Sequence, residues 1–322
     1  MNSIAVDRCE SCGALVDLED LFCANCGREV PDRSEPREGR PSLGARGFEC
    51  KNCGASMAYD AKAQALRCPF CGSGRIEEDG SKGVLAPEIL IPFAIGRDEA
   101  AARLRGWLGS SLWHPQDLNA AAVLTELKPV YVPYWIFRAR VETHWTADTD
   151  RTPPRARAPW FPASGHGVHE YDNLWVPASE GITGAELGAI GDFDAAAAVT
   201  PDAAGLGLDG VAVEQFSLSR RYARPGAQGR VEALEASAIA AELGGRTRKI
   251  RVNSLLIGAT SRAALAPVYV MAYRYRDHLY RFVLNGQTGT FTGQAPLSYW
   301  RVVAAAALIA GLVLAVLALV PR

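Results

Sequence analysis

The sequence contains no cysteine outside Cys-x-x-Cys pairs, and its N-terminus lacks the apolar stretch behind a basic start that marks a secretory signal. All eight cysteines fall into four such pairs. This arrangement is typical of thiolate metal ligands in a reducing compartment rather than of a secreted disulfide framework. We therefore expect the bulk of the chain to stay in the cytoplasm.

Signatures of catalysis are also missing. No Ser-His-Asp set, phosphate-binding glycine loop or dinucleotide fingerprint stands out, and there are only five histidines. His166 and His169, with Glu170 beside them, are the single close histidine pair and could be imagined as a metal or general-base site. Residues three apart on a strand, however, point to opposite faces. We expect a protein that is not an enzyme.

The formal net charge is only -1, but the charges are unevenly distributed. Residues 1–80 carry 14 acids against 10 bases, an acidic excess of four, whereas residues 216–281 carry 12 bases against 4 acids, a basic excess of eight. A nucleic-acid-binding ribbon needs a basic surface, which the acidic N-terminal end does not offer. We therefore do not expect nucleic acid as a partner. A membrane-tethered protein that binds nucleic acid is the alternative function. We expect the basic part to face anionic lipid.

Two complete sets of four cysteines are the strongest motif in the chain. Cys9, Cys12, Cys23 and Cys26 form the first set, and Cys50, Cys53, Cys68 and Cys71 form the second. Each pair is followed directly by a glycine, which relieves the tight turn that points two sulfurs at one ion. We expect two structural zinc ions per chain, each required for its ribbon to fold. A dithiol redox site and an iron–sulfur cluster are the alternatives.

Composition divides the chain into five segments. We expect the first zinc ribbon over 1–30, a flexible linker rich in Pro, Gly, Ser, Arg and Glu over 31–47, and the second zinc ribbon over 48–76. A hinge is expected near 77–83, followed by an α+β domain over 84–297 and a transmembrane helix over 302–320. The overall prediction is two small zinc ribbons of four cysteines each, an α+β domain and one C-terminal anchor.

The predicted anchor is an unbroken run of Val, Ala, Leu, Ile and one Gly from residue 302 to 320. Such a run rises roughly 28 Å as a helix, close to the thickness of a bilayer core of about 30 Å. Tyr299, Trp300 and Arg301 precede it, as expected at a membrane interface. This pattern predicts a single-pass protein of the inner membrane with its N-terminal bulk in the cytoplasm. A buried helix of a soluble core is the alternative.

Alternating and helical patterns organise the α+β domain. Pro133 should place part of its long strand at an edge or a bend, and Asp98 should cap the first helix. The phrase Pro-Val-Tyr-Val occurs at 129–132 and again at 267–270, through duplication or through chance. The predicted strands are 89–93, 129–145, 249–257, 268–276, 279–284 and 290–293, the last two joined by a hairpin turn at Asn285–Gly286, and the predicted helices begin near 98 and span 230–243.

Several phrases together resemble one family. They are Leu90-Ile-Pro-Phe93 leading to a helix with Trp107, Pro129-Val-Tyr-Val-Pro-Tyr-Trp135, and Phe282-Val-Leu-Asn-Gly-Gln-Thr-Gly289. With the two ribbons and the terminal apolar run, the chain resembles the bacterial zinc-ribbon membrane proteins encoded beside homologues of phage shock protein A. The resemblance covers most of the length except 148–162 and 200–225. It implies an adaptor that recruits a phage-shock-A-like peripheral protein to the lipid bilayer in envelope stress, and it brings no catalytic residue.

Overall fold

The computed structural model describes residues 6–13, 15–17, 23, 26, 28, 46–59, 67–78, 87–111, 113–115, 118, 123–124, 127–155, 158–201, 211–276 and 278–319. Two cysteine clusters near the N-terminus precede a domain dominated by one large sheet. Most of the linker predicted over 31–47 and the hinge predicted over 77–83 lie outside the described residues. The exceptions are Arg46–Gly47 and Glu77–Glu78, which belong to strands.

The elements follow one another in chain order with the ribbons first. The ribbon strands are β1 Val6–Arg8, β2 Leu15–Asp17, β3 Arg46–Cys50, β4 Ser56–Tyr59 and β5 Ile76–Glu78. The remaining elements are β6 Ile89–Leu90, α1 Arg97–Ser110, β7 Val123–Leu124, β8 Lys128–Thr149, β9 Phe161–Pro177, α2 Gly184–Ala189, β10 Ala212–Glu214, α3 Arg220–Leu243, β11 Thr247–Tyr275, β12 His278–Asn285, β13 Phe291–Gly293 and α4 Tyr299–Leu319.

The second ribbon is built into the main sheet. The strand order is β13-β12-β11-β8-β10-β4-β3-β5, and β9 adds to β8 while β6 and β7 add to β11. Strand β10 joins the two parts, because it pairs in parallel with β8 and antiparallel with β4. Met57 and Phe70 of the ribbon lie in the same buried cluster as Trp175 and Ile182 of the domain. The second ribbon therefore shares its hydrophobic core with the domain that follows it.

Strand β8 crosses the middle of the sheet. Its prediction as a long strand with one solvated face is confirmed, because burial alternates along its C-terminal half. Pro133 was expected at an edge or at a bend, and it does not lie at an edge. Pro133 pairs with Leu265 of β11 on one side, and on its other side the partner of β8 changes from β10 to β9. The missing N–H of proline is tolerated at this change of partner.

Strand β11 is continuous from Thr247 to Tyr275, whereas two separate strands were predicted over 249–257 and 268–276. The intervening stretch is rich in alanine, which has little strand propensity of its own. Ala263, Ala264 and Ala266 are buried because β8 pairs with them along the whole stretch. The pairing of β11 with β8 shifts register between residues 248 and 251 and again between 257 and 260. These shifts mark β-bulges, where β11 has extra residues relative to β8.

Helix α3 begins ten residues before the predicted start at Arg230, and it contains Pro225. Gly226 explains part of this difference. A Cβ atom added to Gly226 would lie 2.9 Å from Cγ1 of Val176 on β9, so the glycine permits close packing of the helix on the sheet. Proline and glycine both disfavour a helix interior, but tertiary packing stabilises the helix across them.

The first helix and the last hairpin follow local sequence signals closely. Helix α1 begins at Arg97 with Gly96 as its N-cap, so the prediction of Asp98 as the cap is wrong and Asp98 lies in the first turn. The hairpin at Asn285 is confirmed between β12 and β13. The Asn285 Oδ1 atom accepts hydrogen bonds from the backbone of Gln287 and Thr288, which closes the turn.

Helix α4 starts beside the segment that follows α1. The Arg301 guanidinium donates to the carbonyl of His114 at 2.9 Å, and exposed apolar side chains follow, with Leu308 at 69% and Ile309 at 64% exposure. Among the residues that the structure describes, no helix is long and apolar enough to span a membrane. The transmembrane helix predicted over 302–320 falls partly outside the described residues and is not confirmed.

Candidate metal centres

The first cysteine set comes together around the turn that follows β1. The Cys9 and Cys26 sulfurs lie 3.7 Å apart, those of Cys12 and Cys23 lie 3.6 Å apart, and all four lie within 4.8 Å of one another. Gly13 has a φ of 70° and donates its N–H to the carbonyl of Cys9 at 2.8 Å. This left-handed turn is the reason that a glycine follows the pair.

The second set repeats this geometry in the sheet. The Cys50 and Cys71 sulfurs are 3.6 Å apart, and those of Cys53 and Cys68 are 3.7 Å apart. Gly54 and Gly72 have φ values of 80° and 70° and donate to the carbonyls of Cys50 and Cys68. Cys50 lies at the end of β3, where pairing with β4 and β5 fixes its position.

Each set fits one four-coordinate metal ion. A metal–sulfur bond of about 2.3 Å gives a tetrahedral edge of about 3.8 Å, close to the measured sulfur separations. Four thiolates in this arrangement suit zinc or iron. In the first set, backbone N–H groups of Ser11 and Cys12 lower the pKa of Cys9. In the second, the hydrogen bond with Cys68 lowers the pKa of Cys53 to about 5 while it raises the pKa of Cys68. Both predicted ligand sets are therefore brought together as groups that could each hold one ion.

A buried carboxylate lies behind the second set. Glu214, on β10, is 1% exposed and accepts hydrogen bonds from the Ser179 hydroxyl and from the backbone N–H groups of Glu180 and Gly181. Burial, aided by the charge of Cys53, raises the pKa of Glu214 to about 7. Glu214 thus holds the 179–181 loop against the ribbon. Its role was not predicted from the sequence.

The histidines do not form the metal or general-base site that was considered for 166–170. His166 pairs with His144 across β8 and β9, whereas the His169 Nδ1 atom lies 2.7 Å from Glu235 Oε1 on α3. Tyr171 donates to the same oxygen at 2.5 Å. The two histidines thus lie on opposite faces of β9. The buried Glu235 was not identified from the sequence either, although its place among alanines on the apolar side of a helix was a usable signal.

Comparison with known proteins identifies a distant relative. The chain is 27% identical over 316 residues to the protein named "Uncharacterized protein YdjG" of Bacillus subtilis (strain 168), and the alignment covers 80% of this chain and 92% of that protein. No protein-family model and no solved structure matches the chain. The similarity extends over most of both chains.

Proposed function

We propose that both cysteine sets hold structural zinc and that the protein is a non-enzymatic, membrane-anchored adaptor on the cytoplasmic face of the inner membrane. The single observation that carries the proposal is that each site has a complete set of four protein ligands. Four sulfurs surround each metal position at tetrahedral separations, which leaves no coordination position for a substrate or a water. Zinc in such a site supplies folding free energy, and the surface that it stabilises supplies the function.

Charge on the second ribbon supports a protein partner over nucleic acid. The Lys51 ammonium lies 3.3 Å from Glu49 Oε1 and 3.7 Å from Glu77 Oε2, and the hydrogen bond with Glu49 raises the pKa of Lys51. A cation held between two carboxylates is a poor phosphate contact. The acidic ribbons instead suit a partner with a basic surface.

The exposed apolar side chains of α4 support membrane attachment. Residues at many positions around this helix are exposed, including Leu308, Ile309 and Leu312, so it does not pack as a core helix. Trp300 and Tyr299, exposed at 79% and 74%, flank its start. In the proposed arrangement this helix anchors the protein, and the first ribbon, joined through 31–47, contacts a phage-shock-A-like peripheral protein during envelope stress.

The proposal is tested by localising a tagged phage-shock-A-like protein in cells. In one variant residues 1–47 are deleted and the C-terminal helix is kept. In the control variant residues 31–45 are replaced by a Gly/Ser segment of the same length, which keeps the first ribbon. We expect the tagged protein to leave the membrane in the deletion strain only. Retention at the membrane in both strains would show that the first ribbon does not recruit it.

A further inference from the structure

The ends of the three longest strands carry polar side chains on the sheet face opposite α3. Strand pairing places them in two neighbouring cross-strand rows, because β8 lies between β9 and β11. All six are exposed and uncharged or basic. The first row is His166, His144 and Asn253, and the second is Ser164, Thr146 and Arg251; together we call them the distal rows.

The distal rows surround a depression of about 490 Å³. Its lining also includes Trp145, Gly165 and Val252, which alternate with the distal rows along the same strands. Side chains of alternate strand residues project to opposite faces, so these three contribute backbone to the floor. The Trp145 ring confirms the direction, because it lies over Gly165 on the α3 side, 2.7 Å from where a Cβ of Gly165 would be.

Arg251 differs from two other arginines on the same strands, Arg138 and Arg248. Arg138 pairs with Asp172 at 2.8 Å, and Arg248 pairs with Asp148 at 3.1 Å. Within the described ranges no carboxylate pairs with Arg251, and no acidic residue lines the depression. The His144 and His166 rings stack with their centroids 6.0 Å apart. The depression therefore gathers hydrogen-bond donors and one unneutralised positive charge.

Acidic residues lie in the cross-strand rows that flank the distal rows. Glu142 belongs to the row beyond His144, opposite Val168 and Leu255. Asp148 belongs to the row beyond Thr146, and its carboxylate contacts both Arg248 and Lys249. The negative charge of Asp148, on the Arg251 side of the depression, is thus neutralised by Arg248 and Lys249. A divalent cation held by the two imidazoles is disfavoured because the guanidinium of Arg251 stands in the neighbouring row.

We propose that the distal rows bind an oxyanion of the phosphate class. The planar fork of Arg251 can hold two phosphate oxygens, while Asn253, Ser164 and Thr146 donate single hydrogen bonds. The imidazole N–H groups of His144 and His166 close the other side. Free phosphate or phosphate on a soluble partner suits the position better than a headgroup of the anchoring bilayer. Strand β11 continues from Asn253 to Tyr273 over roughly 65 Å of strand at about 3.3 Å per residue. The Tyr273 hydroxyl donates to the carbonyl of Gln294, which precedes α4 in the chain.

The histidine NMR spectrum tests this site directly because the chain has five histidines. The zinc-loaded, full-length protein, labelled at histidine, is titrated with inorganic phosphate in a maltoside detergent, and sodium chloride of equal ionic strength serves as the control. We expect saturable shifts of the His144 and His166 signals, with His169, on the opposite face, unchanged. Arg251→Gln should weaken phosphate binding about tenfold or more, the usual effect of losing a charge-assisted pair. The matched variant Arg262→Gln, exposed on the same strand, should bind as the unmodified protein does.

A second experiment distinguishes the two phosphate sources. The protein is placed in nanodiscs of phosphatidylcholine with or without phosphatidylglycerol, with no free phosphate. Shifts that require phosphatidylglycerol and are lost in Arg251→Gln would assign the site to a lipid headgroup. The proposal is wrong if neither phosphate nor phosphatidylglycerol shifts His144 and His166, if chloride shifts them equally, or if Arg251→Gln leaves binding unchanged. Shifts produced by added zinc alone would also overturn it in favour of a cation site.

Discussion

Glu214 lies where the second ribbon meets the domain, and its protonation state affects the stability of the protein. Its pKa is raised from 4.5 to about 7, first because burial disfavours the charged carboxylate. A raised pKa means that the folded state binds the proton more tightly than the unfolded state does. This contribution to stability is complete below pH 4.5 and is lost as the pH rises through 7.

We therefore predict that the free energy of unfolding falls by about 1.4 kcal/mol between pH 6 and pH 8 because of Glu214. The measurement is urea unfolding of the zinc-loaded protein at both pH values. Glu214→Gln, which cannot ionise, serves as the reference and should lack this part of the change. An equal change in both proteins would rule out Glu214 as its source.

Gly181 lies where the domain approaches the second ribbon closely. A Cβ atom at this position would lie 2.7 Å from Cγ of Phe70, whose ring is 1% exposed in the shared core. We predict that Gly181→Ala lowers the free energy of unfolding by about 1–3 kcal/mol, the usual cost of overpacking. Gly188→Ala is the matched control, since a Cβ there meets nothing within 4 Å and alanine favours the helix. Denaturant unfolding that shows no difference between the two variants would contradict the contact.

At the scale of elements, the features that depend on neighbouring residues could be predicted from the sequence. The knuckles of both cysteine sets and the hairpin at Asn285 depend on nearby residues, and both were predicted. Strand β9 was not predicted, because its glycines and polar residues become a strand only through pairing with β8. The distal rows were missed for the same reason: His144 and His166 are separated in sequence and are brought together by strand register.

The two ribbons should respond differently to the loss of a ligand. Cys23 packs in a small cluster with Cys9 and Val16, whereas Cys68 belongs to the large buried cluster that includes Trp175. We predict that Cys23→Ser loses one metal ion and leaves the thermal unfolding of the sheet nearly unchanged. Cys68→Ser should also lose one ion, and it should lower the melting temperature by roughly 5–10 °C, for about 2–3 kcal/mol of lost stability.

Metal analysis and circular dichroism on the same samples provide the measurement. A conservative variant at a half-buried position that supplies no metal ligand, Ser73→Ala, controls for handling and should retain both ions. If Cys23→Ser and Cys68→Ser lower the melting temperature equally, the second ribbon is no more integrated into the sheet than the first.

At the scale of the whole molecule, the segments could be predicted from composition but their contacts could not. The basic excess over 216–281 suggested a face toward lipid. In the structure, Arg246 pairs with Asp150, Arg248 with Asp148, and Arg281 with Glu186. These acids come from outside that range, so counting charges within the range overstated the net positive surface. The pairing of β4 with β10 likewise joins residues more than 150 positions apart, which no local pattern could indicate.

The C-terminal helix can be removed without opening the core. No residue of α4 in the described part of the chain belongs to a buried cluster, and its hydrogen bond to His114 is made by Arg301, which precedes residue 302. We predict that deletion of 302–322 releases a folded protein with two bound metal ions into the soluble fraction, because the exposed apolar side chains of α4 are what the bilayer would cover. Cell fractionation followed by circular dichroism and metal analysis measures this. The variant that lacks 1–47 is the control and should remain with the membrane. If the protein without 302–322 still sediments with membranes in high salt, α4 is not the anchor and attachment must come from the sheet domain or from another protein.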